Sequence, residues 1–503
     1  MFMRVLHTVR HLKPVQVYSR VWRSRPSFSH AALQLRRQTA QEWQPCILRP
    51  NAEIALNRFR FLNEERQIRT WNDRDIPKLW LYNLHYFESA DSDRIRRWIL
   101  ENPPGHGIGW EPYPLSQRIP NWIKWCLAGN PLDTAALASL ATQALALHES
   151  VEYHLQANHL FVNGKALVFA GSFFEGAVAL AWLKAGLDIL CQQVPEQVLR
   201  DGGHFERSPM YHSLILEDLL DLVNLAQVFP AIIPQEDAES WTAAASRMLG
   251  WLAAMCHPDG RIAFFNDTAF GIAPEPHELG VYAERLGVAP IPASLGDSGY
   301  IRLENSDATV IFDAAPIGPD YQPGHAHADT LSFELSIRGL RVLVNSGTSV
   351  YESGDLRSWQ RSTAAHNTAT VDGLDSSEVW SAFRVARRAR PFDFEKGAGF
   401  AAAAHSGYRR LSDPVTHHRR LDLNSHELVV KDSFDGRAEH DIRFYFHLHP
   451  EADTAIHLDP KLARSVEKTQ WYPAFNTRIP NRTIVGSWRG RCPVSFVTRL
   501  SLK

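Results

Sequence analysis

The strongest constraint on this chain is a change of period near residue 290. Upstream, apolar residues recur at helical spacing. Within 133–151, Leu137, Leu140, Ala141, Ala144, Leu145, His148 and Val151 share one helical face, with Asp133 placed to cap the first turn. Residues 213–229 and 239–256 read as further long helices, the second stopping at the turn signal HPDG. After "APIPASLGDSGY" (289–300) the pattern becomes short alternating runs: ATVIFDA, LSFELSI, LRVLVNSG, NTATVDG, HELVVKDSF, DIRFYFHLH and VSFVTRLSL. Strands at that density, with turn residues between them, predict a β-sandwich. The expected architecture is therefore α+β and multidomain. A basic N-terminal segment spans 1–45, an all-α bundle or toroid 46–292, and a β-sandwich 293–503. A chain of 503 residues is long enough for more than one core.

Charge and cysteine usage exclude several classes. With 53 basic and 55 acidic side chains the formal charge is −2, so no global field argues for nucleic acid. The five cysteines are odd in number and lack C-x-x-C spacing, which argues against a disulfide framework or a cysteine zinc site and for buried free thiols. The basic N-terminus has no apolar stretch of signal-peptide length. The longest apolar run, 166–183, carries Glu175 in its middle and reads as a buried helix of the helical domain. No integral membrane segment is expected.

Four clusters gather polar residues in apolar surroundings. Asn158 and His159 precede an expected helix, a position that also suits a cap. "DGGHFERSPMYH" brings His204, Glu206, Tyr211 and His212 before another helix. "GHAHAD" (324–329) sets His325, His327 and Asp329 two apart, just before the alternation Phe333, Leu335, Ile337 of a half-buried strand. Extended backwards, that strand points all three polar residues to one side, as a metal site, an acid/base site or a hydrated strand end. His366 and Asn367 form the fourth cluster.

Taken together, "NHLFVNGKALVFAG", "DGGHFERSPMYH" and "GHAHADTLSFEL…VLVNSGT" resemble the heparinase II/III family of polysaccharide lyases, which includes related alginate lyases. "LWLYNLHYF" and "GIGWEPYPLSQRIPNWIKW" resemble the N-terminal helical part of its members. The resemblance runs from about residue 58 to at least 450 and implies an incomplete α/α toroid followed by an antiparallel β-sandwich. It also implies β-elimination beside a uronic acid. Asn158 with His159 matches the group that meets the carboxylate. Tyr211 matches the tyrosine that acts as acid, and in some members as base, and His325 the histidine base or its partner. A structural zinc in some members matches His327 and His366. The aspartate of that set is Asn345 here, a poorer ligand. No organic cofactor is implied.

An anionic polysaccharide is the partner so implied, glycosaminoglycan-like or a bacterial exopolysaccharide. Against the near-neutral whole, "FRVARRARP" with Arg384 and Arg388 offers a local cationic strip, and "HHRR" (417–420) follows it. Trp110, Tyr113, His204 and Glu206 are further candidates for a sugar cleft, with core packing the competing reading for the aromatics. The family's habit points to the periplasm or cell envelope, whereas the missing signal and the cysteine count point to the cytoplasm. Two rival functions remain. A glycoside hydrolase would draw on Asp201, Glu206 and Asp329 and needs two carboxylates flanking the bond. A non-catalytic glycan-binding or assembly protein would keep only the shape.

Overall fold

The computed structural model describes residues 2–21, 26, 28, 33–36 and 42–502. Two short helices, α1 (Phe2–Val9) and α2 (Pro14–Val21), open the described chain. The rest of the expected N-terminal segment lies mostly outside the described residues.

The helical half is built from helices whose ends are set by local chemistry. Asp133 accepts a hydrogen bond from the Ala136 amide at 2.9 Å and starts the helix Thr134–Glu149. Ser208 Oγ accepts from the Tyr211 amide at 3.2 Å and starts Pro209–Val228. Each cap satisfies a donor that the first turn leaves unpaired. The run 166–183, expected as one helix, is two: Ala157–Phe173 and Ala177–Gln197. Glu175 lies in the turn between them, where Gly176 takes φ +104°. The second helix has the length and hydropathy of a membrane span, but it packs along Ala157–Phe173. A Cβ at Gly171 would sit 2.4 Å from the Leu183 nitrogen, so glycine lets the two backbones touch.

Seven of the largest fully buried side chains are tryptophans: Trp71, Trp80, Trp98, Trp122, Trp182, Trp241 and Trp251. Trp43, Trp110 and Trp471 are buried too, so ten of the fifteen tryptophans are core, each ring giving about 3–5 kcal/mol against truncation. The helical half also holds strands absent from the sequence expectation, Glu53–Ala55, Arg58–Phe61 and Glu64–Gln67, in one small sheet.

The last helix before the change of period ends at Arg285 and the first sandwich strand starts at Tyr300. One antiparallel sheet runs, in spatial order, 463–471, 479–491, 439–448, 340–343, 333–337, 308–313 and 300–304, with 369–371 pairing beside 439–448. A second runs 391–397, 400–405, 416–423, 427–435, 494–501 and 456–457. Phe333, Leu335, Val430, Phe434, Phe444, Phe446 and Phe496 share one core with residues of both sheets. The strand Phe333–Ile337 is buried on both faces, not half-buried. Its polar side meets the helical half: Glu334 accepts from the Phe264 and Asn345 amides at 3.0 and 2.7 Å, and His257 lies 3.0 Å from Glu334 and 2.7 Å from Ser336. None of the five cysteines is paired. Only Cys492 is buried and Cys191 is exposed, so the expectation of buried thiols fails for most of them.

Candidate active site

"GHAHAD" is a loop, not the start of a strand, because the strand begins at Phe333. Its three polar residues accordingly point to different neighbours. Asp329 accepts from the Asn266 amide at 3.1 Å and is buried. His325 stays partly exposed against the Tyr211 ring, and His327 turns inward.

The organising group is Asp267, in the segment FFNDTAF. It is fully buried, and His325 Nδ1 and His327 Nε2 each lie 2.9 Å from it, on its two oxygens. Arg357 grips both oxygens as well, with Nη2 donating at 2.7 Å. Burial pushes the Asp267 carboxyl up, but Arg357 and the hydrogen bonds from His325 and His327 hold it well below the usual carboxylate range. An ionised carboxylate only accepts, so His325 Nδ1 carries the proton and Nε2 presents its lone pair. That lone pair lies 4.0 Å from Glu206 Oε2.

Tyr211, in the first turn of Pro209–Val228, stacks on His325 with ring centroids 3.8 Å apart. Its hydroxyl is 3.0 Å from that of Tyr351. Burial raises the Tyr211 phenol well above its ordinary value, and Tyr351 adds to the rise. Phe383 closes the other side of His325 at 6.0 Å between centroids. Glu206 is buried; the Asn158 backbone amide faces it, and among the described residues no side chain donates to either carboxyl oxygen. Burial raises its pKa against the opposing charge of His325.

Asn158 and Tyr211 line a cavity of about 330 Å³, together with Tyr113. Gln156 and Ala157 precede Asn158 at φ +66° and +52°. Two consecutive left-handed residues mark a backbone held by its surroundings. His159 is oriented by Glu152 at 3.1 Å and packs on the Tyr113 ring at 4.5 Å. The deep wall of the cavity is charged but paired. Lys165 meets Asp218 and Asp221 at 2.6 and 2.7 Å, Lys124 meets Asp221 at 2.9 Å, and Arg49 meets Glu217 at 2.9 Å.

Several expected site residues stand elsewhere. Trp110 is a core ring, tilted against Trp98 with its indole nitrogen donating to the Asn102 carbonyl at 3.2 Å. His204 is fully buried and 3.0 Å from Gln197 Oε1, so it meets no cleft. Arg388 is almost wholly covered and donates to Asp320 at 2.7 Å, while Arg384 is exposed with its guanidinium over Trp380. The "HHRR" run is a strand whose Arg419 and His417 are buried on Asp432. The cationic strip is thus largely neutralised by its own partners. Asp201 is spent on Ser298 and the loop amides around it, and Asp329 on Asn266. Of the three carboxylates a hydrolase would draw on, only Glu206 faces the site.

The zinc expectation meets a short donor set. His327 Nδ1 lies 3.1 Å from His366 Nε2, and His366 Nδ1 lies 2.7 Å from the Ser362 carbonyl. Asn345 uses its amide nitrogen on the Phe264 carbonyl at 2.9 Å and its oxygen on the Asn367 amide at 3.0 Å. Among the described residues no group of three His, Cys, Asp or Glu side chains is suited to a metal. Two imidazoles do not make the three or four ligands zinc takes, so the residues do not fit.

Comparison with known proteins adds to this geometry. The model of the heparinase II/III N-terminus matches residues 42–273, and that of the heparinase II/III-like C-terminal region matches 288–498. The heparin-sulfate lyase of Pedobacter heparinus is 26% identical over 425 residues, covering 74% of this chain and 60% of that protein. This chain thus spans about three fifths of that lyase's length. The FtsZ-localized protein C of Caulobacter vibrioides is 27% identical over 413 residues, covering 73% of this chain and 67% of that one. A crystal structure of heparinase III superposes with a TM-score of 0.68 at 19% identity, covering 86% of this chain and 79% of that one, which shows the same fold.

Proposed function

This chain belongs to the heparinase II/III family, and on that footing we propose that it is a polysaccharide lyase cleaving beside a uronic acid by β-elimination. The observation that carries the reading is the Tyr211–His325 ring stack, with Asn158 lining the same cavity as Tyr211 and Asp267 holding His325 Nδ1 so that Nε2 is left free of that carboxylate. His325 removes the C5 proton, the electron pair forms the C4–C5 double bond, and the C4–oxygen bond breaks. Tyr211 gives its proton to the leaving oxygen. The raised phenol pKa makes it the acid of the pair rather than a tyrosinate base. The imidazolium and tyrosinate left behind then exchange a proton, directly or through solvent, and the site is reset.

C5 is acidic only when the adjacent carboxylate is neutralised as charge develops, an oxyanion-type task. Asn158 offers an amide for it, with His159 beside it. Glu206, whose pKa burial raises, stands 4.0 Å from His325 Nε2 on the same side. Among the described residues, the lysines and arginine of the cavity wall, Lys124, Lys165 and Arg49, are all paired, which favours a uronate polymer over a densely sulfated one.

The test is ultraviolet absorbance from a 4,5-unsaturated uronate, across sulfated and unsulfated uronate polysaccharides, beside His325→Ala. Signal in the wild type that the variant loses supports the lyase. Reducing ends without absorbance would sink it in favour of a hydrolase. The similarity to FtsZ-localized protein C favours a second reading, an assembly protein on the same scaffold. It predicts no product from any glycan and a cellular role that survives Tyr211→Phe.

A further inference from the structure

The two N-terminal helices are turned inside out. In α1, the half-buried residues are the polar ones, His7 and Thr8, while Phe2, Met3, Val5, Leu6 and Val9 are exposed. Thr8 Oγ1 donates to the Val385 carbonyl at 3.2 Å and accepts from the Trp380 indole at 3.2 Å. In α2 the one buried residue is Gln16, which donates to the Tyr321 carbonyl at 3.3 Å, while Val17, Tyr18 and Val21 are exposed. Between the helices, Lys13 pairs with Glu196 and lies 3.9 Å over the Tyr321 ring. Polar side chains therefore fasten the helices to the body and apolar ones are left outside. A surface helix of a protein that meets only water shows the opposite arrangement.

The charges that this N-terminal segment itself carries have one sign. Residues 1–41 contain eight lysines and arginines and no aspartate or glutamate. Arg4, Arg10 and Arg20 stand exposed among the apolar side chains. We propose that α1 and α2 form an interfacial anchor that lays this face of the protein on an anionic phospholipid bilayer. Basic residues beside Phe, Leu and Val on a short helix are the composition of a segment lying in the headgroup plane. A second copy of this chain would bring the same positive charge against itself, and a polysaccharide has no use for the apolar face. The anchor also bears on the site. The hairpin of Val379–Trp380 and Arg384–Val385, on which Thr8 rests, carries Phe383 against His325. Docking would hold the cleft at a fixed aspect to the membrane.

The experiment is co-sedimentation of the full chain with vesicles of phosphatidylcholine alone or phosphatidylcholine with phosphatidylglycerol, at low and high salt. The wild type should pellet with the anionic vesicles only, and lose binding as salt rises. Leu6→Asp with Val17→Asp, and separately Arg4→Glu with Arg20→Glu, should each weaken binding by about tenfold or more. All four side chains are exposed or on the rim, so thermal unfolding should match the wild type. Failure to pellet with anionic vesicles overturns the proposal and hands the face to an acidic protein surface. Equal pelleting with neutral vesicles, or a dimer by light scattering that the Leu6→Asp, Val17→Asp variant dissolves, overturns it too.

Discussion

The imidazole of His325 lies against the phenol of Tyr211 with centroids 3.8 Å apart and planes 27° apart. The two groups come from opposite halves of the chain, one from a toroid helix and one from the loop before a sandwich strand. Their contact makes the proposed acid and the proposed base neighbours. Tyr211→Phe removes the proton donor and should lower kcat by about 10²–10⁴-fold while leaving substrate affinity near the wild type. Tyr351→Phe removes only the hydroxyl that faces Tyr211 at 3.0 Å. Its cost should stay below about tenfold, in keeping with one lost hydrogen bond. Steady-state kinetics on the two variants check both. Since burial lifts the Tyr211 phenol well above its ordinary value, the rate should show no alkaline decline from tyrosine ionisation below about pH 10.

Asp267 accepts from His325, His327 and Arg357 at once, so Asp267→Asn is a severe change for its size. The amide cannot balance the buried guanidinium, and breaking such a pair costs about 3–5 kcal/mol. It also releases the His325 tautomer, so kcat should fall by about 10²-fold or more. The pH dependence follows from the depressed carboxyl. Its contribution is complete above the unfolded pKa, about 4, and is lost as pH falls toward the lower folded value. Urea unfolding across acid pH should therefore show a shallower slope for the variant than for the wild type. Equal slopes would mean that Asp267 is not the ion pair described.

Glu206 carries the opposite sign. Its folded pKa is raised by burial, so below the unfolded value, about 4.3, both states are protonated and nothing is lost. As pH climbs above that, the unfolded state releases its proton first and the native state is penalised. Glu206→Gln should thus gain thermal stability over the wild type at pH 8 and show little gain near about pH 4. The glutamine still donates a hydrogen bond, so KM for a uronate substrate should rise less than in Glu206→Ala. A Glu206→Gln protein less stable at pH 8 would show that the carboxylate has a partner.

The change of period near 290 was legible because it rests on local spacing, as was the cap at Asp133, which bonds the amide three residues on. Residues of the site that depend on distant partners were not. Asp267 lies in a linker with no periodic pattern, and it matters only because the fold brings His325 and Arg357 to it from 58 and 90 residues away. The signal available was three polar residues, Asn266, Asp267 and Thr268, between pairs of apolar ones, a burial no loop tolerates without partners. Tyr351 and Arg357 were equally silent. Arg388 misled for the converse reason, because composition counts the charge but not Asp320, which takes it.

His327 is the second histidine of GHAHAD, and its surroundings make a definite statement about metal. Both of its nitrogens are engaged, one by Asp267 at 2.9 Å and the other facing His366 at 3.1 Å. Burial lowers each imidazole to about 4. A zinc ion would need a third donor, and Asn345 is committed to the Phe264 carbonyl and the Asn367 amide. Purified protein should therefore contain zinc well below one ion per chain, and dialysis against a chelator should leave the unfolding midpoint unmoved. His327→Gln should lower stability through the broken Asp267 contact, by about 1–3 kcal/mol for a buried charged acceptor. That loss should be the same with and without added zinc. A midpoint that falls on chelation and returns with zinc would mean that a further donor completes the pair, and would restore the metal.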